Sequence, residues 1–132
     1  MLSLKKIFLT LTLLSTLLFS GEIKWVDYDD AIEMAEKNNK IVMVMLSREG
    51  CMGCEYMEDV VFKNDRVLKM LTKDFIPVHV DIQQDFVPDG MSYIGTPTFH
   101  FVDKNEKIID TLVGGKNAKD FMEKLNTLKA NH

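Results

Sequence analysis

An α/β fold, in which helices flank a central mixed sheet of four to five strands, is predicted by three patterns in the sequence. Residues 41–46 are apolar throughout and partly β-branched, which is typical of a strand buried on both faces. A stretch with helical periodicity follows, and Phe75–Asp81 then alternates as a second strand, so these segments form a βαβ unit. Thr98–Val102 and residues 107–113 are joined by turn-forming residues, which indicates a hairpin.

Capping residues and apolar stripes predict the helices around this sheet. Asp27 can cap a first helix, and either Asn64 or Asp65 can begin another one after the cysteines. Asn117 is placed to cap the last helix. The predicted buried stripe of that helix comprises Ala118, Phe121, Met122, Leu125 and Leu128.

The strand pattern is weaker at two places. Residues 22–26 alternate polar and apolar side chains, which predicts a short half-buried strand before the first helix. Pro77 removes a hydrogen-bond donor from its strand, so it favours a sheet edge or a strand start. Residues 83–95 are the least regular part of the chain, with a turn signal at 88–90.

The N-terminus has the layout of a secretory signal peptide. Lys5 and Lys6 precede an uncharged apolar run over residues 7–19, and the small residues Ser20 and Gly21 follow it. We therefore expect a signal peptide over residues 1–20 and a single domain over residues 21–132. An uncleaved anchor is the alternative, but the run is shorter than the ~20 residues that a spanning helix needs.

Charge excludes several partners. The chain carries a formal net charge of −4; two of its 16 basic residues and none of its 20 acidic residues lie in residues 1–20, so the remainder carries −6. Binding to nucleic acid or to an anionic membrane surface requires concentrated positive charge. We expect no nucleic-acid partner, no stable membrane insertion after cleavage, and a monomer.

Cys51 and Cys54, the only cysteines, lie where the apolar strand gives way to a helix. Unpaired N–H groups and the positive end of the dipole in the first helical turn stabilise a thiolate, and residues three apart share a face. One thiol can therefore attack while the other resolves. A bridge closing so small a loop adds little stability, so redox chemistry is the favoured reason for the pair.

The sequence Cys51-Met52-Gly53-Cys54 on a helix, followed by Gly95-Thr96-Pro97-Thr98 before a hairpin and a terminal helix, resembles the thioredoxin superfamily. The resemblance covers nearly all of residues 22–130. The run from Lys40 through Asp81 is most similar to exported thioredoxin-like proteins akin to the C-terminal domain of DsbD-type thiol:disulfide interchange proteins.

The resemblance implies roles for four residues, and two neighbours of Cys51 are added to them. Cys51 would be the exposed nucleophile and Cys54 the buried resolving thiol. The bond before Pro97 would be cis, and the backbone around Thr96 would bind an extended substrate as an added strand. Gly50 and Met52, which flank Cys51, complete the predicted substrate-binding set.

Two positions depart from the family pattern. Gly50 stands where relatives usually carry tryptophan, which removes a flat apolar docking surface. Met45 stands where many carry a buried acid that assists deprotonation of the resolving thiol. Cys54 must then rely on water or on a carboxylate such as Glu58 or Glu55, although solvation of the surface is the ordinary role of both.

The predicted function is an exported thiol–disulfide oxidoreductase, periplasmic or secreted, that needs no cofactor. Arg48 favours a Cys51 thiolate, whereas Glu49 and Glu55 oppose it, and no cation lies between the cysteines. A less stable thiolate makes the pair more reducing, which favours a reductase or interchange protein. Its partners would be thiols and disulfides of exported proteins, with a membrane or soluble redox protein as electron donor.

Two alternatives belong to other classes. The cysteines with His79 or His100 could bind zinc or copper, although both histidines lie within apolar strands and are ordinary sheet residues in most proteins. The chain could also be a non-catalytic binding module with a structural disulfide. Covalent haem is excluded because Glu55 occupies the histidine position of the haem attachment motif.

Overall fold

The computed structural model describes residues 21–132 and confirms the α/β fold with a mixed central sheet flanked by helices. Residues 1–20, which carry the predicted signal peptide, lie outside the described part. The elements are α1 (Tyr28–Asn38), β1 (Ile41–Ser47), α2 (Met52–Tyr56), a π-helical turn (Met57–Val61), α3 (Asp65–Asp74), β2 (Phe75–Asp81), β3 (Thr98–Val102), β4 (Ile108–Val113) and α4 (Ala118–Asn131).

The sheet within residues 21–132 has four strands in the order β2-β1-β3-β4. β1 runs parallel to β2 and antiparallel to β3, and β3 pairs antiparallel with β4 as the predicted hairpin. All seven residues of β1 are buried, because the strand is central and covered on both faces. The βαβ unit and the hairpin were therefore both predictable from hydrophobic patterning.

The predicted strand over residues 22–26 is wrong. This segment has no regular structure; it contacts β2 through one backbone hydrogen bond, from Val26 N to the Pro77 carbonyl at 2.9 Å. The N–H and C=O positions of one strand residue point to the same side, so the missing donor of Pro77 also faces this free edge. A continuous ladder cannot form there, whereas the prediction of an edge position for Pro77 is confirmed.

Apolar clusters cover the two faces of the sheet. One lies between the sheet and the helices α2, α3 and α4, is rich in phenylalanine and methionine, and contains both cysteines. The other lies under α1 and is mostly aliphatic. The fully buried phenylalanines of the first cluster are Phe75, Phe99, Phe101 and Phe121.

Two of the three predicted helix caps form. Asn64 Oδ1 accepts hydrogen bonds from the N–H groups of Arg66 and Val67, and Asn117 Oδ1 accepts one from Asp120 N. The Asp27 side chain makes no capping bond, although α1 begins directly after it. In α4 the stripe is buried at Phe121, Leu125 and Leu128 and partly buried at Ala118 and Met122.

Within residues 21–132 no helix combines the length and the apolar character that crossing a bilayer requires.

Candidate active site

Cys51 and Cys54 lie where the chain leaves the sheet and enters α2. Cys51 is the N-cap residue of α2, and its sulfur accepts a hydrogen bond of 3.2 Å from the backbone N–H of Cys54. The two cysteines are joined as a disulfide, with their Cα atoms 5.2 Å apart. The strand-to-helix junction thus gives Cys51 Sγ a backbone donor from the first turn.

Both cysteines are buried in this oxidised state. Cys51 is 6% exposed and Cys54 is 2% exposed, and both pack in the phenylalanine-rich cluster. The resemblance implied an exposed nucleophile at Cys51, whereas the structure has a buried one in this state. Cys51 is the more exposed of the two by a small margin.

The backbone conformation at position 50 accounts for glycine where relatives carry tryptophan. Its φ of +74° lies in the left-handed region, which a residue with a Cβ adopts at a cost. A Cβ at this position would have no atom within 4 Å, so backbone conformation rather than lack of space favours glycine.

Residues 92–97, which we call the facing loop, reach the cysteine segment through Pro97. The Thr96–Pro97 peptide bond is cis. Pro97 Cδ lies 3.0 Å from the position that a Cβ on Gly53 would take, so Pro97 packs directly on the residue between Met52 and Cys54. The fold thus brings together two stretches that are some forty residues apart in sequence.

Three hydrogen bonds hold the facing loop on the sheet. Thr98 Oγ1 donates to the Gly95 carbonyl at 2.7 Å, and Gly114 N donates to the Pro97 carbonyl at 2.8 Å. His100 Nε2 lies 2.8 Å from the Ser92 carbonyl oxygen and donates to it, because a carbonyl can only accept. The loop is irregular in conformation but anchored at several points.

The two histidines considered as metal ligands are engaged elsewhere. Besides its bond to Ser92, buried His100 shares a 3.0 Å hydrogen bond between Nδ1 and Thr111 Oγ1. His79 Nε2 lies 3.3 Å from Glu58 Oε1, and Trp25 packs edge-on against the same ring. No group of three or more His, Cys, Asp and Glu side chains suited to a metal ion occurs within residues 21–132.

The surroundings of the two cysteines are apolar at Met45, the position where many relatives carry a buried acid. Met45 is fully buried in the same cluster as the cysteines, between Phe99 and His79 on the neighbouring strands. The buried residues within 21–132 include no aspartate or glutamate. Glu55 is exposed and Glu58 is paired with His79, so neither carboxylate is buried beside the sulfurs.

Thr96 combines unpaired backbone groups with a buried side-chain oxygen. Neither its N–H nor its C=O takes part in the β-ladders or in another backbone hydrogen bond within residues 21–132. Its Oγ1 is buried and also has no hydrogen-bond partner there.

Large apolar side chains stand exposed on the two segments that form the site. Met52, next to Cys51, is 84% exposed, and Ile94, two residues before Thr96, is 94% exposed. Tyr93 of the facing loop is 43% exposed. Sequence reasoning selected Met52 but missed Ile94 and Tyr93; their position just ahead of Thr96-Pro97, in a stretch without regular periodicity, was the available signal.

The chain belongs to the thioredoxin-like domain family, whose model matches residues 28–129. It is similar to Thioredoxin H4-2 of Oryza sativa subsp. japonica, with 33% identity over 102 residues that cover 77% of this chain and 74% of that protein. The family and the paired cysteines make it a thiol–disulfide oxidoreductase of the thioredoxin-like class.

Two solved structures show the same fold. The solution structure of a thioredoxin from Thermus thermophilus superimposes with a TM-score of 0.67 at 26% identity, covering 81% of this chain and 87% of that one. The oxidised C-terminal domain of Neisseria meningitidis DsbD gives 0.56 at 16% identity, covering 80% and 98%. The resemblance to the thioredoxin superfamily is confirmed, and the DsbD C-terminal domain shares the fold.

Proposed function

We propose that this protein is an exported thiol–disulfide reductase or interchange protein that acts through a mixed disulfide on Cys51, resolved by Cys54. The observation that carries the proposal is the bond from Cys54 N to Cys51 Sγ at 3.2 Å, made at the helix start and opposite Pro97. A backbone donor aimed at one sulfur favours that sulfur as the thiolate.

The exchange proceeds in two balanced steps. The Cys51 thiolate attacks one sulfur of a client disulfide, forming the mixed disulfide and releasing the other client sulfur as a thiolate. Cys54 then loses its proton to solvent and attacks Cys51 Sγ, which releases the second client thiolate and closes the Cys51–Cys54 disulfide. A donor dithiol then reduces the Cys51–Cys54 disulfide and is itself oxidised to a disulfide.

The reductive direction is supported by the charges near the pair. Arg48 is the one nearby cation in the loop before Cys51, whereas Glu49 and Glu55 lie on either side of the cysteines. Met45 adds an apolar environment, which disfavours a charged sulfur. A weakly stabilised thiolate gives a low reduction potential, so equilibration with glutathione should show a reducing couple. A potential near that of DsbA-like oxidants would contradict the assignment.

Client binding is proposed at the facing loop. The unpaired N–H and C=O of Thr96 can bond an extended client segment as a short added strand, with Pro97 packed behind it and Gly50 leaving the approach open. Exposed Met52 and Ile94 offer apolar contacts on either side, in place of the tryptophan that relatives carry. Clients would thus present a cysteine within an extended, partly apolar segment.

Trapping tests the assignment of the two cysteines. A Cys54→Ser variant lacks the resolving thiol, so it should accumulate mixed disulfides through Cys51 that reducing agent releases. Cys51→Ser is the matched control and should trap nothing. The same captured proteins on Cys51→Ser would reverse the two roles, and absence of turnover in the wild-type protein with a model disulfide would favour a binding module instead.

We base the proposal of export on two observations. Residues 1–20 have the layout of a signal peptide, and the fold is shared with proteins of the Dsb type. Clients would be exported proteins with thiols or disulfides, and a membrane or soluble redox protein would supply electrons. Expression of the full chain followed by fractionation should yield a shortened protein outside the cytoplasm. A full-length protein in the membrane fraction would identify the segment as an anchor, and one in the cytoplasm would contradict export.

A further inference from the structure

β2 and β4 are the two edges of the described sheet, where backbone groups that face away from the sheet can pair with a further strand. At the β2 edge, Pro77 has no N–H, and its carbonyl already accepts a bond from Val26 N at 2.9 Å. Asp81 N donates to Asp85 Oδ2 at 2.8 Å, and the Asp81 carbonyl accepts from Asp85 N at 2.7 Å. Local groups therefore occupy much of this edge.

The hydrogen-bond pattern of β4 identifies the groups that face outward at the other edge. Gly114 N donates across to the residue before β3, and the bonds of an antiparallel ladder recur at every second residue. Asp110 and Leu112 therefore also bond towards β3. The residues that alternate with them, Thr111 and Val113, direct their N–H and C=O groups away from the sheet.

Two charged side chains occupy outward groups of β4. Thr111 N donates to Asp110 Oδ1 at 2.8 Å, and the Val113 carbonyl accepts a bond of 3.5 Å from Lys116 Nζ. Lys124 Nζ donates to the other oxygen of the Asp110 carboxylate at 2.7 Å, which holds that carboxylate in place. An N–H and a C=O that a further strand would need are thus already bonded within the chain.

We propose that the β4 edge is a surface for pairing with a second copy of this chain, and that the side chains of Asp110 and Lys116 keep it closed. The inference goes beyond the proposed function and does not depend on it. In a two-fold antiparallel pair centred on Thr111, the Thr111 N–H of each copy would donate to the Thr111 carbonyl of the other. Because the symmetry uses this N–H twice, one occupied group removes both central bonds.

A second copy is the occupant that the edge itself favours. A strand paired with an identical antiparallel strand places outward donors opposite outward acceptors in the centred register, so no separate partner sequence is required. Val113 is 47% exposed at the end of β4 and would be covered by the second strand. The β2 edge offers no comparable surface, because Pro77 lacks the donor that a continuous ladder needs.

The test compares two variants that differ in the side-chain oxygen at position 110. Asp110→Ala and Asp110→Asn both remove the charge and the ion pair to Lys124, but asparagine keeps an oxygen that can accept the Thr111 N–H. In sedimentation velocity across a concentration series, Asp110→Ala should self-associate about tenfold more tightly than Asp110→Asn. Asp110→Asn and the wild-type protein should sediment as monomers. Combining Asp110→Ala with Lys116→Ala should tighten the association further.

Two further measurements locate the contact. Hydrogen exchange of the Thr111 amide should slow as the concentration of Asp110→Ala rises, because that N–H becomes bonded in the pair, and should not depend on concentration in Asp110→Asn. Asp85→Ala removes a carboxylate that bonds an edge N–H of β2. It should nevertheless remain a monomer, because Pro77 and Val26 still close that edge.

Five results would overturn the inference. Four of them are a monomeric Asp110→Ala, equal association of Asp110→Ala and Asp110→Asn, equal association of Asp85→Ala, and a dimer whose Thr111 amide exchanges independently of concentration. The fifth is a monomeric Asp110→Ala whose Thr111 amide is protected by added insulin B chain, which would assign the edge to another polypeptide. The cysteines take no part in these measurements, so their outcome is separate from that of the proposed function.

Discussion

Two segments form the sides of the site: the cysteine segment, residues 50–57, and the facing loop, residues 92–97. The first is held by helical structure and apolar packing, and the second is held by individual hydrogen bonds. The cysteine segment is helical from Met52, places its buried side chains in the main apolar cluster, and caps its own helix with Cys51 Sγ. The facing loop has no regular structure and is anchored by bonds to Thr98, His100 and Gly114.

Under the proposed function, this difference separates the segment that carries the attacking sulfur from the segment that binds the client. A sulfur that must attack along one direction benefits from a rigid helical support. A segment that must receive a client benefits from backbone groups that are unpaired, which a helix or a central strand would have consumed. Thr96 is therefore available because the facing loop is irregular, and it is well positioned because the loop is anchored.

The largest effect is expected from releasing the facing loop with His100→Ala. Loss of the buried ring and of its bond to Ser92 should cost about 2–4 kcal/mol of unfolding free energy. The rate of disulfide reduction should fall about tenfold, since Thr96 is no longer held opposite the cysteines. Denaturant unfolding and an insulin-reduction assay measure the two effects.

Thr111→Val is the control for that variant. It removes the bond at His100 Nδ1 but keeps the bond to Ser92. It should lose about 1 kcal/mol of stability and retain its rate. Equal rates in His100→Ala and the wild-type protein would show that the anchoring of the loop does not matter for the reaction.

The contact between the two segments is tested by Gly53→Ala. The new Cβ would lie 3.0 Å from Pro97 Cδ and push the rigid ring away. The helix gains about 0.5–1 kcal/mol from alanine in place of glycine, which offsets the cost of moving Pro97. The unfolding free energy should therefore change by less than about 1 kcal/mol. The rate should nevertheless fall several-fold, because the spacing of the site has changed.

Gly115→Ala is the matched variant for this contact. Its Cβ would meet the Gly53 carbonyl oxygen at 3.6 Å, an ordinary van der Waals distance, so activity should be retained. If Gly53→Ala were as active as Gly115→Ala, close packing of Pro97 on the helix would not be required.

The turn of the cysteine segment is tested by Gly50→Ala. The positive φ of this residue should cost alanine about 1 kcal/mol in unfolding free energy, while the open space around it leaves the site unobstructed. Gly50→Asn should cost less, because asparagine tolerates the left-handed region better. Equal stability of the alanine variant and the wild-type protein would mean that the turn relaxes to another conformation.

The smallest effect concerns an ion pair that joins β4 to α4 and belongs to neither segment. Burial raises the pKa of Asp110, but the bond from Lys124 Nζ at 2.7 Å, the Thr111 N–H and the lysine charge outweigh it, so the pKa lies below its ordinary value. The stability that ionised Asp110 contributes is present above its unfolded pKa and is lost as the pH falls through the lowered folded pKa.

Asp110→Asn should remove this acid dependence. Both side chains are about one third exposed, so the change at neutral pH should be less than about 1 kcal/mol. Thermal unfolding across the acid range measures it, and the reduction rate should stay at the wild-type value. A clear loss of rate would show that effects spread from this pair to the site.

Sequence patterns predicted most of the fold because its central strands are strongly apolar and its helices have clear caps. β1, the hairpin and the caps at Asn64 and Asn117 could all be predicted from the sequence. The strand predicted over residues 22–26 failed because its alternation is a local signal, whereas strand addition depends on what the edge presents. Pro77, fifty residues further on, presents no donor there.

By itself the sequence determined the chemistry: two cysteines three residues apart at a strand-to-helix junction, and Thr96-Pro97 some forty residues later. The tertiary structure alone decided how these stretches meet. It packed Pro97 on Gly53, buried both sulfurs, left Met52 and Ile94 exposed, and paired Thr98 but not Thr96. Residue identity sets what an atom can do, whereas burial and hydrogen-bond satisfaction depend on neighbours that only the folded chain supplies.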